Sequence, residues 1–388
     1  MKRIGSNGRR VVIFTCGGEA GMNNPFETEV LTQIGEWFIN LTHYELKQAR
    51  KTKSQVDQYM CLGSVSKKVR SYYDLVNFKH QILNEEISFR PDLQRSIEMK
   101  QDVLELTDKT LTYLYYFMQA IVASNTEDYF EALQSLRKAE NYMKHVNAYE
   151  RAEFFFRKAF VYYRLDQNIS ALHNVDRSYE LIKVSGCHDK LKANLNILKS
   201  GIYSEAGDHA SANAYAEQGI LHANHEPLTK AMAIRSKANN EFRFKNFERA
   251  AELYEWSLRT GDQRMRTVGV KTSFNLAYAL LKLGKYEKGK QLLDEVERSL
   301  IDQPEGLLEY VSRSLIAREL YVSDKPSHQA IEKALKLLQR KNLRFELKEV
   351  TKELSDYYIH QKDYVTAHHY LSWSFETNVN EINIGGKV

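Results

Sequence analysis

The stretch NLAYALLKLGKYEKGKQLL (275–293) reads as two amphipathic helices joined at Gly284, the second beginning at once after the first ends. Ala277 on the first helix and Gly289 on the second are small and twelve residues apart, and Tyr286 opens the second helix. A small residue on the first helix lets the second come close. The small residue on the second accepts the helix that follows, and the aromatic fills the gap between them. This is a helical hairpin built to be stacked.

Working outward, small residues recur at Ala132, Ala171, Ala212, Ala250, Gly289, Ala330 and Ala367, at spacings of 39, 41, 38, 39, 41 and 37. Twelve residues before each stand Ala120, Ala159, Ser200, Ala238, Ala277, Arg318 and Ser355, so only the sixth copy breaks the pattern. Three before each lie Tyr129, Asn168, His209, Phe247, Tyr286, Ser327 and Tyr364. A period near 39 with two small positions per copy is the signature of tetratricopeptide-type helical hairpins. Such units cannot bury their faces alone, so the expected fold is all-α, with about seven repeats over 111–380 wound into a right-handed superhelix with a concave inner face. The sixth copy is the weakest, with Pro326 in its turn.

Composition agrees. The chain has 388 residues, 43% hydrophobic and 27% charged, with only 5 Pro and 18 Gly, which argues against a loop-rich or all-β protein. The 24 Tyr and 17 Phe suit the bulky packing sites of stacked hairpins. Cys16, Cys61 and Cys187 form no CxxC, which points away from disulfides and zinc and toward a reduced, cytoplasmic setting. No apolar run approaches the ~20 residues of a membrane span. Residues 1–27 read as a disordered leader, basic at Lys2, Arg3, Arg9 and Arg10, with Met22 as an alternative start to Met1.

Residues 28–110 lack the repeat and read as a helical bundle and linker. EVLTQIGEWFINLTHYEL (29–46) puts Ile34, Trp37, Phe38 and Leu41 on one face, and SYYDLVNFKHQIL (71–83) is a second such helix. A break follows at Ser88–Pro91.

Trp37 and Phe38, YYDLVNFKH (72–80), YERAEFFFRKAFVYYRL (149–165) and YYIHQKDYVTAHHYL (357–371) together resemble the Rap family over about residues 30–380. The resemblance implies a three-helix N-terminal bundle and a tetratricopeptide domain. Members are peptide-regulated response-regulator aspartate phosphatases or antagonists of transcriptional regulators. A secreted and re-imported Phr pentapeptide binds the concave groove and releases the protein partner. Some members on mobile elements antagonise a repressor instead of a chromosomal response regulator. The phosphatase members carry a Met-Glu-Glu-Asp-Gln stretch whose Gln positions the attacking water. Counted without a gap from Trp37 to Tyr72, that Gln falls on Lys67 and the acidic triplet on Ser64, Val65 and Ser66. An ammonium donates but cannot accept, so it cannot orient water as an amide does. Gln58 is the alternative candidate.

The resemblance also implies a peptide site. A family Asn falls on Ser236, with Asn239 and Asn240 three and four residues on, and an acidic position that meets the basic end of Phr peptides falls on Glu205. By repeat position, Arg235, Arg243, Asn275, Tyr278 and Lys282 share the inward face. Lys47, Arg50, Lys51, Lys53, Lys67, Lys68, Arg70 and Lys79 face only Asp57 and Asp74 between residues 47 and 79. Either this is a solvated basic face, or Lys47, Arg50, Lys51, Lys67, Lys68 and Arg70 dock an acidic protein partner. No DNA-reading motif accompanies the charge, so direct nucleic-acid binding is not expected. There is no P-loop, HExxH or nucleophile elbow, and His360, His368 and His369 lack partnering ligands, so no cofactor or metal is expected. The expected function is that of an intracellular quorum-sensing regulator that antagonises a transcriptional regulator and is switched by a short peptide. An aspartyl-phosphate phosphatase and a plain tetratricopeptide scaffold are the alternatives, and homo-oligomerisation is left open.

Overall fold

The computed structural model describes residues 25–43, 45–83, 108–183, 188–261, 267–302 and 306–379, with side chains as far as Trp373. Residues 1–24 of the expected leader, with Cys16 and Met22, the Ser88–Pro91 break and Cys187 lie outside these residues, while the last three of that leader, Pro25–Glu27, are not disordered but open the first helix. The described residues form seventeen α-helices and no strand. Three precede the array: α1 (Pro25–Thr42), α2 (Leu46–Leu62) and α3 (Lys67–Leu83). Seven hairpins follow. They pair α4 (Lys109–Asn125) with α5 (Tyr129–Glu140), α6 (Ala148–Arg164) with α7 (Asn168–Ile182), and α8 (Asp189–Glu205) with α9 (His209–His222). Next come α10 (Pro227–Arg243) with α11 (Phe247–Arg259) and α12 (Thr267–Lys282) with α13 (Tyr286–Asp302). The last two join α14 (Leu308–Tyr321) to α15 (His328–Arg340) and α16 (Arg344–His360) to α17 (Tyr364–Val379).

The turn inside each hairpin is made the same way. Glu127, Asp166, Gly207, Lys245, Gly284 and Lys362 all take positive φ, each five residues before its small anchor. The next amide reaches back to close the helix end, as in Asn246 N to Glu241 O (2.8 Å) and Lys285 N to Leu280 O (2.9 Å). Only two of the six are glycine, so the geometry is imposed by stacking and outweighs the ~1 kcal/mol preference against left-handed backbone. The sixth hairpin has no such residue, in keeping with its weak repeat signal.

The small positions do what their spacing predicts. A Cβ on Gly289 would sit 2.8 Å from Leu281 and 3.2 Å from the Ala277 carbonyl, so α13 closes on α12 because nothing larger stands there. Arg318, the exception, turns to α13 and pairs with Glu297 (2.7 Å) and Asp294. The opening aromatic needs correcting. Tyr129 is buried against Phe160, but Tyr286 and Tyr364 are 55% and 65% exposed, so this position is no general plug.

By packing, the chain divides into two compact units. One takes the residues up to Asn125, Phe130–Lys158 and Asp176–His188; the other takes Thr126–Tyr129, Ala159–Val175 and everything from Asp189 on. In the first, Trp37 is fully buried and donates to His80 Nδ1 at 2.8 Å. Burial, with Lys53 and Arg50 nearby, pulls His80 down to about 4 and keeps it a neutral acceptor. Lys79 is also buried, paired with Glu150 of α6 and lying over the Phe38 and Phe117 rings. In the second unit, each first helix from α8 onward touches the first helix of the next hairpin, so first helices make one layer and second helices another. Phe274, Tyr278, Leu281, Leu293, Val296 and Tyr310 fill one interior of this stack. Ile234, Ala238, Leu253, Tyr254 and Leu276 fill the one before it.

Candidate functional site

The first helices of the second unit gather a set of charged and amide side chains. On α10, residues 235, 239 and 243 are one turn apart and share a face. Asn239 Oδ1 accepts from Tyr254 Oη at 2.8 Å and from Asn275 Nδ2 at 2.9 Å, so the two asparagines of consecutive repeats form a rung. Arg243 Nη1 donates to Ser204 Oγ (2.7 Å), Nε donates to Glu349 Oε1 (3.0 Å), and the guanidinium lies 5.1 Å over the Phe345 ring. Lys282 bonds Tyr321 Oη at 2.7 Å and pairs with Glu353, and its ammonium lies 5.5 Å over the ring of Tyr278. Glu205 is half-buried and accepts from Asn168 Nδ2 at 3.2 Å. Burial pushes its carboxyl up to about 8, against the opposing pull of Tyr163 and Arg243.

Ser236 and Asn240 occupy a different face. Both donate to Ser200 Oγ, at 3.1 and 3.0 Å, and Asn240 also donates to Asn213 Oδ1 at 3.2 Å. Asn240 is 1% exposed. These two residues fasten α10 to α8, and the side chain turned toward the next repeat is Asn239.

Sequence reasoning missed the residues that face this set. Glu346, Glu349 and Glu353 lie on one stripe of α16 and meet Arg164, Arg243 and Lys282, the residues that end α6, α10 and α12. Arg164 forks between Glu309 (2.8 Å) and Glu346 (2.7 Å), while Glu349 is shared by Arg243 (3.0 Å) and Arg313 (2.9 Å). Burial raises the Glu349 carboxyl, but Arg243 and Arg313 more than offset it and hold the group below the usual carboxylate range. The signal was present in the sequence: Arg164, Arg243 and Lys282 all stand seven residues before an anchor.

The basic surface of the first unit is smaller than its sequence suggests. Lys79 does not belong to it, being buried against Glu150, and Lys53 pairs with Asp57 at 2.7 Å. Lys47, Arg50 and Lys51 are exposed near the start of α2, and Lys67 and Arg70 at the start of α3, with Lys68 half-buried beside Asp108 at 3.6 Å. Tyr73 Oη bonds Asp57 at 2.7 Å, while Arg50 and Lys53 act on His80, so α2 and α3 run antiparallel. The two basic groups therefore stand roughly 18 Å apart at opposite ends of the pair, at 1.5 Å per residue. Gln58 is exposed on α2, within the helix.

Among the described residues no group of three or more His, Cys, Asp or Glu is placed to hold a metal ion, and no helix is long and apolar enough to cross a membrane. His360, His368 and His369 are exposed, and Cys61 is an exposed free thiol.

Residues 26–85 match the family model described as the N-terminal part of response regulator aspartate phosphatase H. The chain is 26% identical over 356 residues to a protein of Rhodococcus hoagii named type II methyltransferase M.CeqI, covering 91% of this chain and 68% of that one. It is 22% identical to response regulator aspartate phosphatase I of Bacillus subtilis (strain 168), over 89% of this chain and 90% of that one. Among solved structures it is similar to a Rap protein complexed with competence and sporulation factor. The TM-score is 0.82 and the identity 17%, over 91% of this chain and 98% of the other. The fold is shared nearly end to end.

Proposed function

The chain belongs to the Rap family, and on that premise we propose that it is a peptide-switched regulator that binds and antagonises a transcriptional regulator in the cytoplasm. The observation that carries this reading is the rung of Asn239 and Asn275 between the charged residues Arg235 and Arg243 on one helix face. Side-chain amides both donate and accept, so such a rung can hold an extended peptide backbone irrespective of its side chains. Charged groups on either side then select the peptide. The similar Rap conjugation gene regulator of the plasmid pLS20, solved in complex with the Phr* peptide, supports a peptide as the occupant. In this reading residues 28–110 carry the partner-binding surface and residues 111–380 the peptide site. Glu205, Arg235, Asn239, Arg243, Asn275 and Lys282 meet the ligand; Tyr278, expected among them, is buried in the hydrophobic interior and packs beneath Lys282, and Ser236 and Asn240 hold their helix in place.

The test is a pull-down from the host lysate with the purified chain as bait, with and without candidate pentapeptides. A transcriptional regulator released by a peptide is the expected result; a bound set that no peptide alters would leave a plain scaffold. The phosphatase names of the relatives favour a second reading. It fits less well, because the position expected to orient water is Lys67, exposed at the start of α3. Incubation with phosphorylated response regulators decides it: loss of label above the spontaneous rate would restore the enzyme.

A further inference from the structure

Most cations on the inner layer of the second unit are matched. Arg164, Arg243, Lys282 and Arg313 each hold a carboxylate. Arg235 does not. Its side chain is half-buried, its Nε and Nη1 are shut off from solvent, and neither has a hydrogen-bond acceptor among the described residues. Lys271, at the equivalent level of α12, has its ammonium 5.2 Å over the Tyr310 ring and no carboxylate within ion-pair distance among the described residues. Both cations act on Tyr310 or on each other. Glu127 and Glu309 attract Lys271 through space, but neither forms an ion pair with it: Glu309 is held by Arg164 and Arg313, and Glu127, with one oxygen on the Glu309 backbone N–H and the other buried without a hydrogen bond among the described residues, is pushed toward its neutral form by burial. A guanidinium with nitrogens out of water and no acceptor is costly to keep, and the missing partner is an anion.

The position of this pair narrows what the anion is. Arg235 lies four residues before Asn239, and Lys271 four before Asn275, so a cation rung stands one helical turn from the amide rung. Four residues of helix rise about 6 Å, a little less than the roughly 7 Å spanned by two residues of extended chain. A peptide whose backbone lies on the asparagines therefore brings a carboxylate on or near its terminal residue to the two cations. We propose that Arg235 and Lys271 are the seat for a carboxylate of the bound peptide, either its free C-terminus or an acidic side chain. This rests on reading the inner layer as a peptide site. Arg235 supplies a planar fork suited to two carboxylate oxygens, and Lys271 a point charge.

The experiment uses the full chain and mixed pentapeptide pools, with retention measured by gel filtration and mass spectrometry. One pool has free C-termini, a second is C-terminally amidated, and a third is amidated and lacks Asp and Glu. Wild-type chain is expected to retain peptides from the first or second pool at least roughly tenfold more than from the third, the effect of one charge-assisted hydrogen bond. The first pool winning alone assigns the C-terminus; acidic peptides winning in the second assign a side chain. The Arg235→Gln, Lys271→Gln double variant is expected to erase the difference between pools. Equal retention of all three pools by the wild type overturns the carboxylate seat and leaves the peptide site standing. Retention of none overturns the peptide site, and the seat with it. The comparison of pools on the wild-type chain decides the matter even if the double variant fails to fold.

Discussion

The two units hide charge in different ways. The first buries one lysine against one glutamate inside an aromatic core: Lys79 meets Glu150, Tyr113 Oη approaches the same carboxylate at 3.5 Å, and the pair is shut off from water. The second spreads its charge across the first helices, where Glu349 serves two arginines, Arg164 serves two glutamates, and the buried nitrogens of Arg235 are served by none of the described residues. A matched pair in a closed core holds helices together and has nothing left to offer. An unequal network on a partly open layer has spare capacity, and spare capacity is what a ligand uses.

That contrast is breakable, and the largest expected effect lies in the first unit. Lys79→Met leaves Glu150 buried without a counter-charge and should cost about 3–5 kcal/mol, whereas Lys79→Met with Glu150→Leu should recover most of it. Arg235→Met in the second unit removes a cation that has no partner, so it should be neutral or mildly stabilising. Urea unfolding of the three variants checks this. If Arg235→Met costs as much as Lys79→Met, the guanidinium has a structural partner and the distinction between the units fails. A smaller effect sharpens the picture. Glu349→Gln weakens two charge-assisted bonds at a partly exposed carboxylate and should cost about 1–2 kcal/mol, also by urea unfolding.

Legibility in the sequence follows the same divide. The hairpins were readable because stacking demands small residues at fixed places, and Ala277 with Gly289 shows the demand directly. The opening aromatic was over-read: Tyr286 and Tyr364 share its spacing, yet spacing along one helix does not say which side a neighbour covers. Lys79 looked like one more surface lysine because its partner is 71 residues away and outside the N-terminal helices. Asn239 and Asn240 are neighbours in the chain but about 100° apart around the helix, so one bonds forward to Asn275 and the other back to Ser200. The acidic stripe of α16 went unread because nothing local links Glu349 to Arg243, 106 residues earlier.

Protonation gives a finer probe of the second unit. Burial raises the Glu205 carboxyl from 4.5 to about 8, so between those values the folded chain holds a proton that the unfolded chain has released. The stability this contributes is fully present below about 4.5 and is lost as pH rises through about 8. Glu205→Gln should flatten the fall of Tm with pH across that window. A slope unchanged in the variant would mean that Glu205 is already ionised. A peptide that places a basic side chain at Glu205 would draw the proton off, so its affinity should rise between pH 6 and 8. That rise, measured by titration at several pH values, should vanish in Glu205→Gln.

The smallest effect on stability, and the most informative about partners, belongs to the exposed bases of α2 and α3. Reversing Lys67 and Arg70 to Glu, or Lys47 and Lys51 to Glu, changes groups at the surface and should move stability by no more than about 0.5 kcal/mol. The two pairs stand at opposite ends of the α2–α3 pair, so one compact acidic partner surface would engage one end more than the other. Long-range attraction acts on encounter, so reversal at the engaged end should slow association with a captured regulator and flatten its dependence on salt. Reversal at the other end should alter the rate far less, and peptide affinity should be untouched by either. Association rates at low and at physiological salt separate these cases. If both reversals slow association equally, the partner spans the whole α2–α3 face. If neither does, these lysines and arginines serve solubility alone, and the partner binds a surface that charge does not mark.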